Sequence, residues 1–97
     1  MRKLTAAQVR RALPRVPGWR MQGREISRQF TFAGFPKAIA FVRKFAAHAE
    51  AVDHHPDIDI RWNKVTLALS THSEGGLTSK DFASARFYSG LFGRGVR

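Results

Sequence analysis

The sequence predicts an α+β fold in which three helices alternate with two β-hairpins. Three observations predict it. Two segments have the form of a helix N-terminus, one long segment repeats its apolar residues at helical spacing, and two segments alternate apolar and polar residues around a short turn. A chain of 97 residues is expected to form one domain, so we assign residues 1–97 to a single domain.

The first helix is predicted to begin at a capping box, Thr5-Ala-Ala-Gln8. Thr5 would be the N-cap, and the side chain of Gln8 would reach back to its backbone N–H. We expect this helix to cover about residues 6–13 and to end at Pro14, because the residue before a proline avoids the α conformation.

The first hairpin is predicted for the segment from Trp19 to Phe32. Apolar and polar residues alternate on both arms, and the turn is expected near Gln22-Gly23-Arg24. Trp19 fits a core position in this hairpin.

The long central helix is predicted to open at Phe35-Pro36 and to stop by about residue 54, because Pro56 cannot continue it. Phe41 lies off the apolar stripe of this helix, which suggests a subunit contact, and His48 is expected to be solvated. The stripe itself consists of Phe35, Ala38, Ile39, Val42, Phe45, Ala46, Ala49 and Val52.

The second hairpin is predicted from two alternating segments around a two-residue loop, Asn63-Lys64. Extrapolated beyond the strands, this register places His55 opposite His72, so the two histidine segments are expected to be neighbours. The loop pairs Trp62 with Val65, Ile60 with Leu67 and Ile58 with Leu69, which puts all six apolar side chains, Trp62 included, on one core-facing side.

The last helix is predicted to cover about residues 79–90, after a turn at Gly75-Gly76. Thr78 would be its N-cap, and Asp81 would occupy the N3 position.

The net charge of +10 comes from 17 Lys and Arg against 7 Asp and Glu. The basic residues are scattered along the chain, which argues against nucleic-acid binding, although an anionic ligand or an acidic protein could respond to the charge. The absence of cysteine excludes disulfides and thiolate metal sites. No apolar run approaches the roughly 20 residues of a membrane span, and the N-terminus lacks the apolar core of a secretory signal, so we expect a cytoplasmic location.

Five polar side chains form the candidate site: Glu50, His54, His55, His72 and Asp81. Histidine suits acid/base chemistry because its unperturbed pKa lies near neutral pH, and three histidines could hold an acid and a base on opposite sides of a small substrate. Each residue also has a structural interpretation. A histidine can cap a helix C-terminus or end a strand, an aspartate at N3 is favoured by the helix dipole, and Glu50 could simply be solvated.

A metal site is not expected, because adjacent histidines seldom bind one ion together and the usual histidine spacings are absent. The sequence also has no phosphate-binding glycine loop and no serine or cysteine nucleophile motif.

The spaced set Glu50-x3-His54-His55-Pro56-x5-Trp62-x9-His72-x8-Asp81 resembles the signature of the pterin-4a-carbinolamine dehydratases. The segments Pro17-Gly-Trp19, Asn63-Lys-Val65 and Thr71–Thr78 fit the same pattern, and the resemblance covers about residues 3–90. The resemblance implies a four-stranded antiparallel sheet with three helices packed on one face. It also implies a homo-oligomer, either a dimer formed through sheet edges or a tetramer formed through helices.

The implied reaction removes water from a 4a-hydroxytetrahydropterin and gives the quinonoid dihydropterin, without a metal or bound cofactor. It recycles the tetrahydrobiopterin-type cofactor of aromatic amino acid hydroxylases. The resemblance makes His54, His55, His72 and Asp81 catalytic, with the three histidines also binding the pterin. Asp81 is expected either to orient a histidine, with His72 favoured, or to form a hydrogen bond within the site. Glu50 and Trp19 are further pterin-binding candidates, Trp19 at the mouth of the pocket.

The resemblance also leaves a rival, a binding module without catalysis. Relatives of this fold act as a dimerisation cofactor of a transcription factor or as assembly factors of the carbon-fixing carboxylase. Such a protein would need the surface and the oligomer but not the histidines, so the intact histidine set favours the enzyme.

Overall fold

The computed structural model describes residues 2–93 and confirms the α+β fold. One antiparallel sheet of four strands, in the order β1-β2-β4-β3, carries its apolar face toward the helices. The elements in chain order are α1 (Ala6–Ala12), β1 (Arg20–Gln22), β2 (Glu25–Thr31), α2 (Phe35–Val52), β3 (Asp57–Arg61), β4 (Lys64–Leu69) and α3 (Ser79–Leu91), with 3₁₀ turns at Leu13–Arg15 and His72–Glu74.

Both predicted capping boxes are confirmed. At α1, Gln8 N–H donates to the Thr5 hydroxyl and Thr5 N–H donates to the Gln8 side chain. At α3, Thr78 is the N-cap, and its backbone N–H donates to the Asp81 carboxylate. The α-helical part of α1 ends one residue earlier than predicted, because the chain tightens into the first 3₁₀ turn, which accommodates Pro14.

The first hairpin has the predicted turn. Gln22 pairs with Glu25 around Gly23, whose φ of +63° lies in the left-handed region that glycine adopts without strain. Trp19 is buried, as predicted for a core residue, and its indole N–H donates to the Ser89 hydroxyl at 2.9 Å. The hairpin is thereby fastened to α3.

The core face of α2 differs from the predicted stripe. Phe41 is fully buried and packs against Phe30, Phe32 and Phe45, so its assignment to a subunit contact was wrong. Phe35, at the start of the predicted stripe, is exposed. α2 packs over the middle of the sheet, and its buried residues are 38, 41, 45 and 49. The buried face of the helix is therefore rotated relative to the predicted apolar stripe.

His48 lies at the edge of this buried line rather than in solvent, which corrects the second expectation for α2. Its ring stacks on Phe87 of α3 at a centroid distance of 3.8 Å and an interplanar angle of 11°. Its Nδ1 atom is buried without a hydrogen-bond partner among the described residues.

The register of the second hairpin was wrong by two residues. Ile60 pairs with Val65 and Ile58 with Leu67, so the loop is Trp62-Asn63. The Asn63 carbonyl accepts from Phe32 N–H at 2.9 Å, and its side chain donates to the Phe32 carbonyl at 2.9 Å. These bonds align residue 63 with the end of β2.

This register changes two further predictions. Trp62 takes a φ of +53° in the turn and is 68% exposed, so it is not a core residue. The β3–β4 ladder ends before position 70, and His72 lies in a 3₁₀ turn, so His55 and His72 are not paired across the strands. A two-residue slip preserves the facing of side chains, and the apolar residues of β3 and β4 still share one side.

Candidate active site

The C-terminus of α2 directs His54, the first of the two adjacent histidines, toward the protein interior. Asp53 closes the helix in the left-handed conformation, with φ +52°, a conformation that aspartate tolerates better than most residues. His54 N–H then donates to the carbonyl of Ala49 at 3.1 Å, so the chain folds back on the helix end. As a result the His54 side chain turns toward α3 and is buried.

His54 and Asp81 form a close buried pair. The Nε2 atom of His54 lies 2.5 Å from one carboxylate oxygen of Asp81, and the Asp81 side chain is fully buried. The carboxylate therefore contacts a histidine, as predicted, but the partner is His54 and not His72. The end of α2 turns His54 toward α3, so His54 contacts Asp81 although the two residues lie 27 positions apart in the sequence.

The second oxygen of Asp81 is held by the turn that precedes α3. It accepts from Thr78 N–H and from the Thr71 hydroxyl, each at 2.9 Å. The Thr71 and Thr78 hydroxyls are themselves 2.9 Å apart. Since Thr71 donates to Asp81, the Thr78 hydroxyl donates to Thr71. Asp81 thus caps α3 and joins two chain segments, which confirms its predicted N3 position, while its catalytic role stays a prediction.

Thr71 is a member of this network that the sequence did not single out. It is buried and directly precedes His72. The backbone pair between Thr71 and Gly76 closes the turn that carries His72. Its position directly before a candidate histidine was the available signal in the sequence.

The bonding pattern of Asp81 fixes the tautomer of neutral His54. A carboxylate only accepts hydrogen bonds, so we assign the proton of neutral His54 to Nε2, where it donates to Asp81. The lone pair of the imidazole then lies on Nδ1. A histidine held in this way by a buried carboxylate has a fixed tautomer and orientation, as in hydrolase triads.

His55 occupies a different environment. Its Nε2 atom lies 2.9 Å from a carboxylate oxygen of Glu50, but both side chains are largely exposed. The structure therefore pairs each of the adjacent histidines with its own carboxylate, one buried and one in solvent. The expectation that Glu50 belongs near the histidines holds for its contact with His55, while its role toward a pterin stays a prediction.

His72 is exposed and lines a cleft of about 290 Å³. The other lining residues are Arg24, Glu25, Ser70 and Gly75. His54 lines a second cleft, of about 170 Å³, together with His48, Val52, Lys80, Ala83 and Ser84.

Trp19 was expected at the mouth of the pocket, and its observed contacts are those of a core residue. It packs edge-on against Phe30 and bonds Ser89. Within residues 2–93, no group of three or more histidine, aspartate or glutamate side chains is arranged to hold a metal ion. No helix in this range is long and apolar enough to cross a membrane.

Comparison with known proteins gives a consistent result. The model of the family "Pterin 4 alpha carbinolamine dehydratase" matches residues 2–91. Relatives from Mycobacteroides abscessus and Chloroflexus aurantiacus are 52% and 50% identical to the chain, covering 97% and 96% of it and all of each relative. Both are named "Putative pterin-4-alpha-carbinolamine dehydratase".

Solved structures show the same fold. A transcriptional coactivator/pterin dehydratase from Brucella melitensis superposes with a TM-score of 0.88 at 37% identity, covering 92% of this chain and 97% of its own. A pterin dehydratase-like protein, described as a RuBisCO assembly factor in the α-carboxysome, gives a TM-score of 0.69 at 26% identity, with 78% and 90% coverage. The family match over residues 2–91 and the two half-identical relatives show that this chain belongs to the pterin-4a-carbinolamine dehydratase family.

Proposed function

We propose that the protein dehydrates a 4a-hydroxytetrahydropterin to the quinonoid dihydropterin, by histidine acid/base catalysis. One observation carries the proposal. The Asp81 carboxylate bonds both His54 and Thr71, the residue before His72, and so ties the two histidine segments into one buried network. Membership of the dehydratase family supports the choice of substrate.

The reaction needs one proton given and one proton taken. The C–O bond to the 4a-hydroxyl breaks as that oxygen receives a proton and leaves as water. The adjacent ring nitrogen loses its proton, a C=N bond forms, and no electrons are gained or lost. Such positioned proton transfers contribute about 10²–10⁴ to a rate.

In this proposal His54 is the base. Its Nε2–H is fixed on Asp81, so its Nδ1 lone pair is the free acceptor. The exposed histidines, His55 and His72, are the candidate acids, and the clefts beside His54 and His72 are the candidate substrate surface. The proposal requires no metal and no bound cofactor, and it places the protein in the recycling of a tetrahydropterin cofactor in the cytoplasm.

The test is stopped-flow decay of enzymatically generated 4a-hydroxytetrahydropterin. We expect the wild-type protein to accelerate the decay by about 10²–10⁴, and His54→Ala to abolish that acceleration while remaining folded. Thr5→Ala is the control, because loss of this distant N-cap costs about 1 kcal/mol without touching the histidines. If folded wild-type protein leaves the decay at its spontaneous rate, the proposed dehydratase activity is wrong.

A second candidate function is a binding role that uses oligomers of the fold. The β3 edge of the sheet exposes three apolar side chains, Ile58 at 45%, Ile60 at 39% and Trp62 at 68%. An open strand edge with apolar side chains is suited to pairing with another chain. We propose this edge as the contact for a second copy, in a dimer or tetramer, or for a protein partner.

Light scattering tests this surface. Ile60→Lys is expected to shift an oligomer toward monomers, while Asp59→Lys, which has the neighbouring exposed position on the opposite side of the strand, serves as the matched control. Equal masses for wild type and Ile60→Lys would exclude the β3 edge. A binding role without catalysis predicts that His54→Ala keeps partner binding.

A further inference from the structure

A cleft of about 550 Å³ beside α1 is not used by the proposed chemistry. We call it the α1 cleft. It lies between α1, the residues before it, the β1–β2 turn and the Gly75–Leu77 segment. It is separate from His54, although Arg24 and Gly75 line both the α1 cleft and the cleft beside His72.

The walls of the α1 cleft are held by backbone and side-chain packing. Leu4 N–H donates to the Leu77 carbonyl at 2.8 Å, which fastens the N-terminal segment to the turn before α3. The aliphatic part of Lys3 lies directly over Gly76, where an added Cβ would come within 2.8 Å of Lys3 Cδ. The cleft therefore keeps its form through contacts that do not need a ligand.

The floor of the α1 cleft is apolar and its other large side chains are cationic. Met21, for example, is 43% exposed there, so its apolar surface is accessible to a bound molecule. The apolar lining residues are Leu4, Ala6, Val9, Leu13, Met21 and Leu77. The charged lining residues are Lys3, Arg10 and Arg24, and no carboxylate lines the cleft.

These three cations lack an ion-pair partner within the part of the chain that the structure describes. The other side of α1 is also basic, with Arg11, Arg15 and Arg86 around a smaller cleft of about 320 Å³. Positive charge is therefore concentrated around α1, in addition to the positive net charge of the whole chain. This charge favours a negatively charged occupant of the α1 cleft.

We propose that the α1 cleft binds a small organic anion with an apolar body, such as a medium-chain carboxylate. Its volume lies within the roughly 300–1,000 Å³ of small-molecule sites, which are mostly apolar with a few polar groups that fix orientation. A bare phosphate or a nucleic-acid backbone would leave the apolar floor uncovered. A second copy of this chain would bring its own net charge of +10 toward three unpaired cations.

Amide NMR titration of the full chain tests the proposal, with hexanoate, heptanoate and octanoate as probes. We expect saturable shifts at Leu4, Gly23 and Gly76, and a dissociation constant that falls about fourfold per added methylene, since each buried CH₂ contributes about 0.8 kcal/mol. Octylammonium, which has the same chain and the opposite charge, is expected to give no saturable shift at these amides.

Two arginine variants locate the site. Arg10→Gln is expected to weaken octanoate binding about fivefold or more, whereas Arg43→Gln, the same change at an exposed position of α2, is expected to leave it unchanged. The proposal is overturned by an absence of saturable shifts, by equal response to octylammonium, or by equal affinity in both variants. It is also overturned if an acidic leucine-rich peptide saturates these amides and octanoate does not, because the occupant is then a protein segment.

Discussion

His54 and His55 are neighbours in the sequence and each contacts a carboxylate, yet they lie in opposite environments. The His54–Asp81 pair is buried, with an N–O distance of 2.5 Å, and Asp81 has two further donors. The His55–Glu50 pair has an N–O distance of 2.9 Å, and its glutamate side chain is 81% exposed. The difference comes from the chain direction at Asp53, which sends one histidine inward and leaves the next in solvent.

The comparison shows why proximity to a carboxylate is a weak criterion for function. An exposed pair competes with water and salt, and contributes about 0–1 kcal/mol. A buried carboxylate must have its hydrogen bonds satisfied, and it then holds its partner in one orientation. The fixed orientation of His54 is the property that acid/base catalysis requires, so the two pairs are expected to respond very differently to substitution.

The largest expected effect is that of Asp81→Ala. Removing this carboxylate leaves Thr78 N–H, the Thr71 hydroxyl and His54 without their acceptor, so we expect the free energy of unfolding to fall by about 3–5 kcal/mol. Glu50→Ala, the matched change in the exposed pair, is expected to alter it by less than about 1 kcal/mol. Urea denaturation measures the free energy of unfolding of both variants. Equal losses would show that the buried pair is no more important for stability than the exposed pair.

The next effect concerns the dehydration rate. His54→Gln keeps a polar side chain but loses the imidazole, and we expect the rate acceleration to drop at least about 10²-fold. His55→Gln is expected to lose less, about tenfold, because its pairing with Glu50 is solvated. Stopped-flow decay of the hydroxypterin gives both numbers. A larger loss in His55→Gln than in His54→Gln would make the exposed histidine the main catalytic group.

A smaller effect is expected for Thr71→Val. The change removes one donor to Asp81 at nearly constant volume, and it should lower the free energy of unfolding by about 1–2 kcal/mol. Thr31→Val, on the exposed side of β2, is expected to change it by no more than about 0.5 kcal/mol. Thermal or urea denaturation compares the two variants. An unchanged free energy of unfolding in Thr71→Val would show that the hydrogen bond from Thr71 to Asp81 does not stabilise the fold.

The smallest effect appears at alkaline pH. Burial raises the pKa of the Tyr88 hydroxyl above its ordinary value of 10.0, and the nearby Ser84 side chain partly opposes this rise. The neutral phenol is therefore favoured in the folded state, so its stabilisation is complete below pH 10 and is lost as pH rises through the folded-state pKa. Tyr88→Phe should flatten the decline of stability above about pH 10. An unchanged decline in Tyr88→Phe would show that other groups cause the loss of stability at alkaline pH.

Local signals predicted much of the fold. The motifs Thr5-Ala-Ala-Gln8 and Thr78-Ser-Lys-Asp81 define helix starts by hydrogen bonds within four residues, so no tertiary information was needed. The end of α2 followed from Pro56 in the same way. The first hairpin was also local, because Gly23 provides the positive φ of its turn.

The errors concern contacts between distant segments. Asn63 bonds Phe32, 31 residues away, and this contact selected the loop that moved Trp62 out of the core. The orientation of α2 on the sheet buried Phe41, which periodicity alone placed elsewhere. Likewise, the sequence identified His54 and Asp81 as candidate site residues, but only the direction of the chain after Asp53 could pair them.

The pairing of His54 with Asp81 can be tested by ¹⁵N NMR of the histidine side chains, which reports the tautomer of each ring. We expect neutral His54 to carry its proton on Nε2, with an unprotonated Nδ1, and Asp81→Asn to disturb this state. His55 should instead show a mixture of tautomers that Glu50→Gln changes little. A protonated Nδ1 at neutral His54, or identical behaviour of the two rings, would contradict the claim that Asp81 prepares His54 as the base.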